Sequence, residues 1–501
     1  MRDQVLIVGA GPTGLVLALW LTKQGVSVRI IDKSSGPGET SRAMVVQART
    51  LELYRQLDLG DAAVAAGHKE LAMNFWAGGK HRARLSLDDA GAAITPYPFL
   101  LVFPQDQHER FLIKRLEELG VSVERQTEMM SFSETDDHVA ARLRKADGSE
   151  EIFSARYLAG CDGARSLTRT QLGGSFEGGT YKQIFYVADV ALSGLKSVNE
   201  AHLSLDDSDF VMVLSYGESG MYRLIGTVRD ERAEHPENLT FEDVSHDAID
   251  RLGVTITGVN WFSHYRVHHR ITDSFRHGPV FLLGDAAHVH SPAGGQGMNT
   301  GIGDAINVAW KLAAVIKGEG SDRLLDSYDV ERRAFAQKVV DTTDRLFTFA
   351  TTQGSFADFV RAPIFPTVAS VAYGIGSVRE FMFRTVSQTM LEYHHSPLSE
   401  GKAGKIQGGD RLPWVPVNDI DNYESLGTIG WQVHVYGTAH DDLRAWCDER
   451  KVPLRVLGWH VEYEKAGLAR DAMYLLRPDT YVAFADQQQS PEALTDYMKA
   501  R

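Results

Sequence analysis

Three clusters of residues have types and spacings suited to holding an anionic, hydroxyl-rich cofactor. The first is Gly9-Ala10-Gly11-Pro12-Thr13-Gly14, with Asp32 further on. In such a pattern the first glycine makes a tight turn, the second lets backbone approach a pyrophosphate, and the third lets helix pack on strand. The N–H groups at the helix start then face the anion, and a carboxylate such as Asp32 accepts from a ribose. The second cluster is Cys161-Asp162-Gly163-Ala164-Arg165-Ser166. The third is Gly284-Asp285-Ala286-Ala287-His288, running on to Pro292-Ala293-Gly294-Gly295-Gln296-Gly297-Met298-Asn299. Asp285 offers a carboxylate to a polyol, and the glycine-rich run offers backbone N–H groups to an electron-rich ring edge.

Other reactive residues point to less. His288 and His290 lie inside the third cluster and His268 and His269 precede it, but all four are read as structural or solvent-facing, so no catalytic acid or base is assigned. Tyr216 and Arg223, on strands expected to face a substrate, are candidate substrate contacts. Only two cysteines occur, Cys161 and Cys447, with no CxxC or Cys/His cluster, which excludes a disulfide framework and a zinc site and leaves no metal expected. A reducing cytoplasm fits that usage. A net charge of -14 argues against nucleic acid or an anionic membrane as partner.

The elements that must position these clusters are legible from pattern. Val5 to Val8 reads as a buried strand, Leu15 to Gln24 as a helix and Val28 to Asp32 as a second strand, a βαβ unit. Alternating strands are expected from about Gly78 to Phe103 and from Ile184 to Val267. Between them His108 to Leu119 reads as an amphipathic helix with Phe111, Leu112, Arg115, Leu116 and Leu119 on one face. Val280 to Leu283 reads as a strand and Gly301 to Ile316 as a helix stopped by Gly318. Residues 324–386 read as largely helical, 401–416 as a Gly/Pro/Lys linker, and the remainder as a small α/β module with a hairpin around Arg477-Pro478-Asp479-Thr480. At 501 residues, two or three domains are expected.

Together GAGPTGL, CDGARS and GDAAHVHSPAGGQGMNTGIGDA resemble the class A flavoprotein aromatic hydroxylases, the group of phenol, 3-(3-hydroxyphenyl)propionate, polyketide and rifampicin hydroxylases. The resemblance covers nearly the whole chain. It implies an α/β fold: a Rossmann-type FAD-binding domain (1–75, 100–180 and 275–345), a substrate-binding sheet domain (76–99 and 181–274), a helical region (346–400) and a thioredoxin-like C-terminal domain (408–501). It implies FAD held by Gly9, Gly11, Thr13, Gly14, Asp32 and Lys33 at its ADP half, and by Arg42 and Gln105 at the phosphate and ribose regions. Asp285 would bind the ribityl chain, and Pro292, Gly295, Gly297, Met298 and Asn299 would line the isoalloxazine. Asp162, with Arg165, would serve FAD and NADPH. Ser291 and Gly303 depart from the usual His or Arg and Gln of relatives.

The implied activity is hydroxylation of a phenolic or otherwise electron-rich ring with NADPH or NADH and O2, through a flavin C4a-hydroperoxide shielded by apolar walls. Phe347, Phe349, Phe356, Phe359, Phe381 and Phe383 are candidate wall residues, more often core than wall. The expected partners are a small aromatic substrate and O2, with a homodimer possible. A Baeyer–Villiger oxygenation of a polycyclic ketone and a non-catalytic flavin scaffold are the alternatives. The absence of CxxxxC and WxWxIP disfavours a disulfide reductase and a halogenase.

Overall fold

The computed structural model describes residues 4–38, 43–135, 138–195, 197, 199–205, 210–215, 220–228, 239–244, 246–290, 295–351, 376–418 and 420–500. β1 (Val5–Val8) is buried at every position, as its unbroken Val-Leu-Ile-Val run requires of a strand covered on both faces. α1 (Pro12–Lys23) starts with proline in its first turn, where a missing N–H costs nothing, and is buried from Gly14 to Leu21, which is why no amphipathic pattern marks it. β2 (Val28–Asp32) lies parallel beside β1. Tyr157–Gly160 flanks β1 on its other side and Val280–Leu282 follows, both parallel, so Val8, Asp32, Gly160 and Leu282 end together.

Over this layer stands an eight-stranded sheet in which Phe176–Ser193 and Thr255–Thr272 form the longest antiparallel pair. Its strand Ala72–Ala77 starts before the boundary expected at residue 76. One face packs its own cluster of Ile184, Tyr186, Val213, Tyr222 and Leu224 beneath the short helix Asp247–Asp250. Its other face meets the nucleotide layer, with Ala201 and Leu214 against Met44 and Val102.

Three local expectations change. The helix Gln105–Glu118 buries His108, Glu109, Leu112 and Leu116, while Leu119 turns outward at 45% exposure. Phe383 is core against Gly91, the commoner reading for these phenylalanines, whereas Phe381 is 58% exposed and belongs to no core. Phe356 and Phe359 lie outside the described residues, as do the side chains of Phe347 and Phe349. The stretch 401–416 is no linker. Glu400–Ala403 pairs in parallel with Val482–Asp486, and Arg411 and Leu412 are buried. The C-terminal sheet contains Gln432–Tyr436 and the Met473–Leu476/Val482–Asp486 hairpin, flanked by Asp441–Arg450 and Pro491–Lys499. No described helix is long and apolar enough to cross a membrane.

Candidate active site

The three motifs form one surface where the parallel strands end. Gly9 has φ +105, and a Cβ there would lie 2.2 Å from the Cys161 carbonyl oxygen; a Cβ on Gly14 would lie 2.0 Å from the Gly9 oxygen. Gly284, also at positive φ, sits with its Cβ position 2.8 Å from Thr13 Oγ1. These contacts admit only glycine. At Gly11, by contrast, a methyl group would meet nothing within 4 Å, and no side chain caps α1. Uncapped helix N–H groups facing open space at a glycine form a cradle for an anion.

Around that cradle the structure assigns each expected residue a specific place. Asp32 Oδ2 accepts from Ala10 N at 2.7 Å and Oδ1 from Ser34 N at 2.7 Å, so it braces the glycine turn from the end of β2. Lys33 and Asp285 are exposed on the same rim. Gln105 donates to Glu109 at 2.8 Å, and Glu109 also accepts from Gly38 N; burial pushes its carboxyl up. Asp162 is held by its own turn. Its carboxylate accepts from Ser166 Oγ (2.6 Å), Thr168 N and Thr168 Oγ1 (both 3.0 Å), at the start of the helix Leu167–Leu172, and so shapes that turn.

Asn299 is likewise committed to protein. Its Oδ1 accepts from Gln47 N (3.0 Å) and Thr50 Oγ1 (2.8 Å), and its Nδ2 donates to Val45 O (2.8 Å) and Gly295 O (3.1 Å). It thereby ties the glycine loop to α2 (Ala48–Tyr54). Gly295 has φ +63, Gly297 lies beside the His290 ring, and Met298 is half-buried. Arg42, Tyr216, Pro292 and Ser291 lie outside the described residues.

Across the strands of the upper sheet, Leu214, Arg223, Asp189 and Trp261 form one row on the face toward the glycine loop. Arg223 does not present itself to a ligand as expected: it is 1% exposed, with Nε and Nη2 on Asp189 at 2.8 and 2.9 Å and the Trp261 ring 5.7 Å away. The next rows, Met212, Ile225, Val187 and Ser263, then Thr227, Phe185 and Tyr265, supply a mostly apolar wall.

Sequence reading missed the buried ionic groups behind the site. Asp304 accepts from Gly284 N (3.0 Å), His288 Nε2 (2.7 Å) and Arg332 Nε (2.6 Å). Burial pushes Asp304 up, but Arg332 and His288 outweigh it and hold its carboxyl below the usual range. The absence of a side chain at Gly303 makes room for Arg332, whose Nη2 lies 3.0 Å from the Cβ position there. Glu52 pairs with Arg49 and Arg411, and Glu331 with Lys311 and Arg477, all with side chains at most 4% exposed. Of these groups, the sequence had singled out His288 and the hairpin carrying Arg477 and Asp479, without their ionic partners.

Residues 2–343 match a family described as an FAD binding domain. The chain belongs to that family. It is 33% identical, over 99% of its length and 93% of the relative's, to 6-methylpretetramide 4-monooxygenase of Streptomyces rimosus. It is also 33% identical to pentachlorophenol 4-monooxygenase of Sphingobium chlorophenolicum, over 68% of this chain and 63% of the relative. The structure of an anhydrotetracycline hydroxylase from Streptomyces rimosus superposes with a TM-score of 0.77 at 26% identity, covering 100% of this chain and 99% of that one. The chain is an FAD-dependent monooxygenase of the aromatic-hydroxylase type, with reduced nicotinamide as the family's usual electron donor.

Proposed function

We propose that the enzyme hydroxylates an electron-rich ring of a phenolic or polycyclic aromatic substrate in the cleft between loop 295–299 and the inner face of the eight-stranded sheet. One observation carries this reading. The backbone that Asn299 holds at Val45 adjoins Met44, which packs with Leu214 and Val102 beside Met212 and Ile225, so the loop and these apolar residues of the sheet lie together. A cleft walled in this way excludes water from a reactive site. The polycyclic and phenolic substrates in the relatives' names are consistent with such a wall.

The cradle fits FAD. Gly9, Gly11 and Gly14 with the start of α1 would take the pyrophosphate, with Thr13 packed behind; Asp32, Lys33, Arg42 and Gln105 would serve the ADP half. Asp285 would meet the ribityl chain, and Pro292, Gly295, Gly297 and Met298 would flank the ring system. When bound, FAD supplies the redox chemistry, taking electrons from the nicotinamide and activating O2 for transfer to the ring. This chain's residues do the rest: Asn299 keeps the loop closed, and the Arg223–Asp189 pair sets a fixed dipole in an otherwise apolar wall. The two free cysteines are consistent with a reducing, cytoplasmic setting.

Anaerobic reduction by NADPH and NADH, followed in a stopped-flow across phenols, hydroxylated acids and polycyclic quinones, tests the reading. A compound that accelerates reduction many-fold and returns with one added oxygen on the ring supports it. Oxygen inserted beside a ketone, or only peroxide with every aromatic, overturns it.

A further inference from the structure

The hairpin tip 477–481 of the C-terminal sheet reaches both elements that hold the glycine loop. Arg49, in the first turn of α2, donates through Nη2 to Asp479 O (3.0 Å) and Thr480 Oγ1 (2.9 Å) and lies over the Tyr481 ring. Gln56, just beyond α2, donates to Pro478 O at 2.7 Å. On the other side, Trp310 of the helix Gly297–Lys317 donates to Asp479 Oδ2 at 3.1 Å, and Arg477 reaches Glu331 at 2.7 Å. The residue following Arg49 is Thr50, whose hydroxyl holds the Asn299 carbonyl.

Two features argue that the tip is shaped for this contact. Thr480 has φ +68, in the left-handed region that a β-branched residue rarely adopts. Glycine would sit there without strain but would lose the hydroxyl that Arg49 engages. Arg49, Thr50, Asn299, Asp479 and Tyr481 also close around a cavity of only about 20 Å³, the size of a single water. A junction packed that tightly passes a displacement on to its neighbours instead of absorbing it.

We propose that the 477–481 hairpin is a positioning element for the flavin-lining loop, with Thr480 and Asp479 setting Arg49 and Trp310, and α2 passing that setting to Asn299. The inference rests on the flavin reading above. Thr480 touches neither cofactor nor substrate; it acts through Arg49.

The test compares Thr480→Gly and Thr480→Ser holoenzymes with the wild type. Thr480→Gly is expected to melt no lower than wild type, because the backbone strain is relieved. Its flavin absorption bands should nevertheless lose resolution, its flavin midpoint potential should shift, and the share of NADPH oxidised to peroxide should rise at least twofold. Thr480→Ser, which keeps the hydroxyl, should restore all three. A Thr480→Gly protein with wild-type spectrum, potential and coupling overturns the proposal. So does a Thr480→Gly protein that melts lower and whose changes Thr480→Ser fails to restore, since that pattern belongs to a residue that only stabilises the hairpin. Wild-type protein that binds no FAD would instead bring down the flavin reading, and this proposal with it.

Discussion

One methyl group distinguishes the glycines of the first motif. On Gly14 it would meet a backbone oxygen at 2.0 Å, whereas on Gly11 it would meet nothing within 4 Å. Gly14→Ala is therefore expected to prevent folding, while Gly11→Ala should leave the apoprotein's melting within about 1 kcal/mol of wild type and weaken FAD at least tenfold. Calorimetry of the apoproteins with a fluorescence titration of FAD separates the two, and full FAD affinity in Gly11→Ala would refute the open-cradle reading. A second residue-scale case is Glu70, fully buried, with Oε1 accepting from Ser215 N and Oγ. Burial, opposed by those bonds and aided by nearby Glu200, pushes its carboxyl up to about 7. The folded state then holds this proton more tightly than the unfolded chain, so stability falls as pH rises from about 4.5 to about 7 and levels off above, by at most about 3 kcal/mol. Glu70→Gln, which mimics the neutral acid, should match wild type near pH 4.5 and melt higher at pH 8. Parallel melting curves at every pH would show that Glu70 is not the titrating group.

At the scale of elements, the joint between α2 and the C-terminal sheet depends on Glu52, shared by Arg49 Nη1 at 2.9 Å and Arg411 Nε at 2.9 Å, with Thr95 donating to its other oxygen. Removing one charge from a sealed group of three strands the others, at about 3–5 kcal/mol. Glu52→Gln should lower the unfolding free energy measured by urea denaturation by that amount, and a loss under about 1 kcal/mol would mean that water reaches the joint. None of this was legible, because Arg411 and Glu52 are 359 residues apart and no periodicity links them. The linker misreading has a different cause. Gly401 lies where Ala485 O comes within 2.2 Å of a Cβ position, so a close-packed strand there needs glycine, and its composition imitates a flexible connection. Strands such as Val5–Val8 and Val28–Asp32 were legible because their patterns are local. In the site, the glycines declared their places through spacing. The commitment of Asp162, Asn299 and Arg223 to protein partners depended on neighbours that spacing does not name.

At the scale of the whole molecule, a chain of net charge -14 must still attract a polyanionic dinucleotide. The strand Thr255–Thr272 carries Arg266, His268 and Arg270; burial is the main cause that lowers both the Arg169 guanidinium and the His268 imidazole, and Arg270 is close enough to add to it in each. Arg169 donates to Ala164 O in the turn after Asp162, so this basic strip borders the second motif. Arg270 Nε is buried without a partner among the described residues, an arrangement that is costly unless a ligand completes it. A local cationic strip steers anions over about a Debye length, some 8–10 Å at ordinary salt, where the distant negative surface is screened. Arg270→Ala is therefore expected to raise KM for NADPH several-fold with kcat at saturation and melting temperature little changed. The wild-type KM should rise with ionic strength, and that dependence should flatten in the variant. An unchanged KM in Arg270→Ala, or a wild-type KM that falls with added salt as the net charge alone would dictate, would place the dinucleotide elsewhere on the molecule.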